Sequence, residues 1–185
     1  CKERGVYLFL DGARLGYGLM CKENDLTLPD ITKNTDVFYI GGTKVGALFG
    51  EAVVICNNEL KKDFRYNIKQ RGGMLAKGRL LGIQFQTLFE ENRYFEISAH
   101  AARLAEKMKE ELTKMGVSFY IDSPSNQQFP ILPDEVLEKL KTKYSYTYQA
   151  RMDDTHSAVR FCTSWATKEE NVDMLLADIA AIIGK

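Results

Sequence analysis

The sequence predicts an α/β fold: a sheet-bearing first half, mostly parallel, followed by a small α+β unit. Three observations carry this. Three short apolar runs rich in β-branched and aromatic residues, 6–10, 37–40 and 52–56, lie in the first third of the chain. Continuous apolar runs bounded by turn residues mark strands covered on both faces. Glycine-rich loops, each with one ionisable group near the strand end, follow the first two runs. Helical periodicity over 75–115 then gives way to short alternating strands and helices. This places the domain division at 1–91 and 92–185.

Taken in order, residues 6–10 read as a buried strand, and Asp11-Gly12-Ala13-Arg14-Leu15-Gly16-Tyr17-Gly18 as the loop after it. Pro29 and Asp30 mark a helix start. Residues 37–40 form the second strand, 41–50 a glycine-rich loop and 52–56 the third strand, together a parallel or mixed sheet. Residues 58–70 read as a helix stopped by Arg71-Gly72-Gly73. The 75–115 span is too long for one ordinary helix, so a break is expected near Glu91-Asn92-Arg93, with an end at Gly116. Residues 117–121 and 129–132 read as strands, and 133–142 as a helix opened by Pro133. Residues 144–152 and 158–163 read as paired strands, and 168–183 as a closing amphipathic helix.

With 185 residues, 45% hydrophobic and 27% charged, the chain has globular composition. Its 25 basic and 25 acidic residues cancel, which argues against nucleic acid or an anionic membrane as partner. No apolar run reaches the roughly 18 residues of a membrane helix. Cys1, Cys21, Cys56 and Cys162 show no metal-ligand spacing and read as free thiols of a cytoplasmic protein. His100 and His156 are isolated, so no metal site is expected. The chain lacks an initiator methionine and enters a strand within a few residues, which reads as the later part of a longer protein.

Four residues carry the candidate chemistry. Asp11 and Lys44 follow the first two strands, where α/β folds place their ligands. Asp-Gly is also a common turn pair, and most lysines are solvated charges. Together, however, they suggest a pyridoxal phosphate site: Lys44 for the Schiff base, Asp11 to keep the pyridine nitrogen protonated. Burial of Lys44 among Phe38, Tyr39, Val45 and Phe49 is expected to activate its amine. The loop fails as a nucleotide phosphate loop, because Val45 follows Lys44 where Ser or Thr is needed. Arg14 is either a loop arginine or a contact to a substrate carboxylate or the cofactor's phenolic oxygen. Arg160, within an apolar strand, is either an edge arginine paired with Asp153 or Asp154, or a clamp for an amino acid's α-carboxylate.

Leu10-Asp11-Gly12-Ala13-Arg14-Leu15, Asp36-Val37-Phe38-Tyr39-Ile40-Gly41-Gly42-Thr43-Lys44 and Val159-Arg160-Phe161-Cys162-Thr163-Ser164-Trp165 resemble, in order, the low-specificity L-threonine aldolases. These are fold-type I pyridoxal phosphate enzymes of the β-eliminating lyase group. The resemblance implies the C-terminal portion of such an enzyme: the later part of its cofactor-binding large domain, then the small domain. It implies pyridoxal 5'-phosphate as cofactor and a small β-hydroxy amino acid, L-threonine or L-allo-threonine, cleaved to glycine and acetaldehyde. It implies a homodimer or homotetramer. Asp11 would pair with the pyridine nitrogen, Lys44 form the Schiff base, and Arg14 and Arg160 hold the substrate carboxylate. Two departures stand out. Leu75 occupies the place of an arginine in many members, with Lys69, Arg71 or Lys77 as replacements. The family's N-terminal portion, with its phosphate-binding turn and ring-stacking histidine, has no counterpart, so this segment alone is expected to be inactive. Another fold-type I enzyme, a β-eliminating lyase or an aminotransferase, and a non-catalytic oligomerisation module are the alternatives.

Overall fold

A computed structural model describes residues 1–184. The chain divides into two compact units, one of residues 1–19 and 24–97, the other of residues 20–23 and 98 onward.

The first unit holds a mixed three-stranded sheet, β1 (Phe9–Leu10), β2 (Val37–Gly41) and β3 (Glu51–Ile55), in that order. β1 runs parallel to β2, and β3 antiparallel to it. Asp36 sets the start of β2: its Oδ2 accepts from Leu8 N at 2.8 Å and its Oδ1 from Asn57 Nδ2 at 3.0 Å. Between β1 and β2 lie α1 (Leu15–Leu19) and α2 (Leu28–Asn34). α2 starts where it does because Thr27 and Asp30 form a reciprocal capping box. β2 alternates as a sheet strand should, with Phe38 and Ile40 buried and Val37 and Tyr39 half-buried.

β1 departs from expectation. It is two residues long, and Val6, Tyr7, Leu8 and Phe9 are exposed, not buried. Among the described residues its one strand neighbour is β2. After β3 come α3 (Phe64–Gln70), α4 (Arg79–Phe89) and α5 (Arg93–Lys114). The expected break is present: Glu91 and Asn92 have φ of 54° and 60°, the left-handed region that ends regular helix.

The second unit is built on β7 (His156–Cys162), which pairs antiparallel with β4 (Gln127–Gln128), β5 (Ile131–Pro133) and β6 (Thr147–Arg151). α6 (Asp134–Leu140) and α7 (Glu169–Ile183) complete it. Its core packs Leu104, Met108 and Leu112 with Leu132, Leu140, Val159, Leu176 and Ile179. The strand expected at 117–121 is reduced to a single bridge, Phe119 to Pro130. Around it Tyr120 N donates to Phe129 O and Ile131 N to Ser118 O, both at 2.9 Å, and the run expected at 129–132 is strand only from Ile131 on, in β5. No helix among the described residues is long and apolar enough to cross a membrane.

Candidate functional site

Asp11 directly follows β1. The register pairs Leu10 with Phe38, so the next residues along the two parallel strands, Asp11 and Tyr39, lie side by side. Asp11 Oδ1 accepts from Ala13 N at 3.0 Å and from the Tyr39 hydroxyl. These two donors, with the Lys44 charge nearby, hold the carboxyl below its ordinary range, the Tyr39 bond contributing most. Reciprocally, the carboxylate pushes the Tyr39 phenol up to about 12.

The turn after Asp11 is pressed against β2. Gly41 N donates to Gly12 O at 2.9 Å. A Cβ on Gly12 would overlap the Tyr39 carbonyl, and one on Gly41 the Ala13 carbonyl, so both positions require glycine. Tyr94, fully buried, donates its hydroxyl to Gly41 O at 3.0 Å and accepts from Gly16 N at 3.1 Å. Burial raises its pKa, so it stays a neutral phenol. Tyr17, also buried, donates to the carbonyl oxygen of Lys44. α1 is thereby tied to the end of β2 through the Tyr94 hydroxyl and to the loop after β2 through that of Tyr17.

Lys44 itself is exposed, contrary to the burial expected from its apolar neighbours. The loop turns inward just after it: Val45 and Ala47 are buried, and both their amides donate to Gly42 O, at 2.9 and 3.0 Å. With those residues anchoring the turn, the Lys44 side chain is left outside, as are Thr43, Leu48 and Phe49. Arg14 is half-buried, and its guanidinium makes no ion pair or hydrogen bond among the described residues.

Arg160 belongs to the second unit. It lies mid-way along β7, flanked by β6, and so is not an edge arginine. Asp153, one of its expected partners, instead accepts from Thr155 N at 2.7 Å and His156 N at 2.8 Å. Arg160 Nη1 donates to Gln127 Oε1 at 3.1 Å, and its buried Nε has no partner. His100 is satisfied within its unit, Nε2 meeting Thr167 O at 2.8 Å. No group of His, Cys, Asp and Glu among the described residues could hold a metal ion.

Three tyrosines escape sequence reasoning. Tyr39 had a weak signal, since its position relative to Asp11 follows once the strand register is known. Tyr17 and Tyr94 act on backbone groups 27 and 53 residues away, and nothing local marks them.

No protein-family model matches the chain. It is 33% identical to a low-specificity L-threonine aldolase of Pseudomonas sp., over 99% of this chain and 52% of that protein. The solved structure of a threonine aldolase from Leishmania major superposes with a TM-score of 0.96 at 44% identity, over 99% of this chain and 54% of that one. A Sphingomonas wittichii serine palmitoyltransferase, at 13% identity and a TM-score of 0.67 over 97% of this chain and 48% of its own, shares the fold alone. The chain spans about half the length of the relatives it matches. The fold is therefore the C-terminal half of the fold-type I architecture, α/β with a mixed rather than wholly parallel sheet in its first unit.

Proposed function

We propose that this chain forms the lysine-bearing half of a pyridoxal 5'-phosphate enzyme that cleaves L-threonine or L-allo-threonine to glycine and acetaldehyde. The observation that carries the reading is the placement of Asp11 and Lys44 after the C-terminal ends of two hydrogen-bonded parallel strands, with α1 tied to the end of β2 by Tyr94 and to Lys44 O by Tyr17. It is supported by the similarity to threonine aldolases along the whole chain.

The donor set suits the cofactor. Asp11 has both its hydrogen bonds on Oδ1, which leaves Oδ2 to accept a pyridinium N–H. A carboxylate held low in pKa is the partner that keeps a ring nitrogen protonated. Lys44 offers a primary amine to the cofactor's aldehyde. When bound, the cofactor supplies an electron sink for the pair released as Cα–Cβ breaks. Arg14 and Arg160 present planar guanidinium groups that suit a substrate carboxylate. The enzyme is read as a cytoplasmic homodimer or homotetramer, and the segment alone, half the length of its relatives, as inactive.

In the full-length protein an absorbance band near the visible edge is expected with pyridoxal phosphate, abolished by Lys44→Ala together with acetaldehyde release from threonine. An unchanged band in that variant overturns the role of Lys44. Ammonia and a keto acid as products point instead to a lyase or an aminotransferase of the same fold.

A further inference from the structure

Resting on the assignment of Asp11 to the cofactor's ring nitrogen, we infer that Tyr39 is a positioning residue for that contact: its hydroxyl occupies Asp11 Oδ1 and leaves Oδ2 as the oxygen that meets the ring. The register places the two side chains together. Strand residues two apart share a face, so Phe9 and Asp11 point the same way from β1, as do Val37 and Tyr39 from β2. The Phe9 and Tyr39 rings lie 6.0 Å apart at an interplanar angle of 36°. Packing against Phe9 and against Val53, its partner across β3, would be served equally by phenylalanine. The hydroxyl is what tyrosine adds, and it is spent on Asp11.

Two donors converge on one carboxylate oxygen. Ala13 N is fixed by the Gly12 turn, and the Tyr39 hydroxyl by a strand whose backbone the same turn abuts. Together they restrain the carboxyl group against rotation, which would otherwise exchange the two oxygens. The bond is also durable. The Tyr39 and Ala13 hydrogen bonds, and more weakly Lys44, lower the Asp11 pKa, while Asp11 and, more weakly, Glu51 disfavour loss of the phenol's proton. Tyr39 thus remains a donor and Asp11 an acceptor from mildly acidic to strongly alkaline pH. Asp11 is exposed in this chain, so burial does not orient it, and directed hydrogen bonds have to.

The test uses Tyr39→Phe, Asp11→Asn and the double variant in the full-length protein. In the cofactor-free wild type, the Asp11 carboxyl followed by carbon NMR titrates below the ordinary aspartate value, and Tyr39→Phe moves that midpoint upward. In the wild-type background Tyr39→Phe weakens pyridoxal phosphate binding about ten-fold, the scale of a hydrogen bond to a charged group. In the Asp11→Asn background the same change has less than about two-fold effect, because the coupling is already gone. An unmoved Asp11 midpoint, or equal weakening in both backgrounds, overturns the positioning role and leaves Tyr39 as packing. If Asp11→Asn alone leaves cofactor binding intact, the ring-nitrogen assignment fails and the inference with it. The NMR midpoint then still reports whether the Tyr39–Asp11 bond exists.

Discussion

Strands β1 and β7 read alike as sequence, short apolar runs rich in β-formers, yet they meet opposite fates. In β7, Ala158 and Val159 are fully buried and Phe161 nearly so, while Phe9 on β1 is 59% exposed. The difference is partnership. β7 has β4, β5 and β6 along its length and the α6 and α7 helices in its unit; β1 has β2 alone among the described strands. Apolar composition states what a strand can bury, and its neighbours decide what it does bury.

The contrast can be broken most directly by truncation. Leu132→Ala, at a fully buried position beside β7, is expected to cost about 2–5 kcal/mol in urea denaturation. Phe9→Ala in the same chain is expected to cost under about 1 kcal/mol, in keeping with its exposure. Equal losses would show that β1 is covered in solution. A smaller effect sharpens what β1 does instead, which is to position a turn. Gly12→Ala is expected to lose about 1–3 kcal/mol, because the new Cβ overlaps the Tyr39 carbonyl and the backbone has to move. Gly18→Ala, with open space at its Cβ inside α1, should be neutral or gain up to about 1 kcal/mol. Thermal melts of the two variants separate packing from helix propensity; a neutral Gly12→Ala would refute the tight approach.

The smallest effect concerns acid. The turn before β7 holds Asp153 at about 2, first through the Thr155 amide and then through His156. The folded value lies below the ordinary 3.8, so this contribution is present above about pH 4 and is lost as pH falls through about 2. The difference in melting temperature between wild type and Asp153→Asn should therefore close across that window. A difference constant from pH 5 to pH 2 would detach it from Asp153 ionisation.

Much of the fold was legible. The paired strands β6 and β7, the closing helix α7 and the break at Glu91-Asn92 follow from periodicity and helix-stop signals. The strand expected at 117–121 was not, because among the described residues that segment keeps a single bridge, Phe119 to Pro130. Of the candidate site, Asp11 and Lys44 were legible as ionisable groups after apolar strands. The outward direction of Lys44 was not, since it depends on which flanking residues, Val45 and Ala47, the fold takes inside.

By itself the sequence determined where the apolar runs of the first unit lie and which charged residues stand after them. Those are local matters, set by runs of side chains and by turn residues a few positions apart. Only the tertiary structure decided which hydroxyls bond to Asp11, to Gly41 O and to Lys44 O. Tyr17, Tyr39 and Tyr94 reach partners 27, 28 and 53 residues distant. Such bonds exist only in the folded chain: the register of β1 and β2 brings Tyr39 to Asp11, while Tyr17 reaches its partner from α1 and Tyr94 from α5.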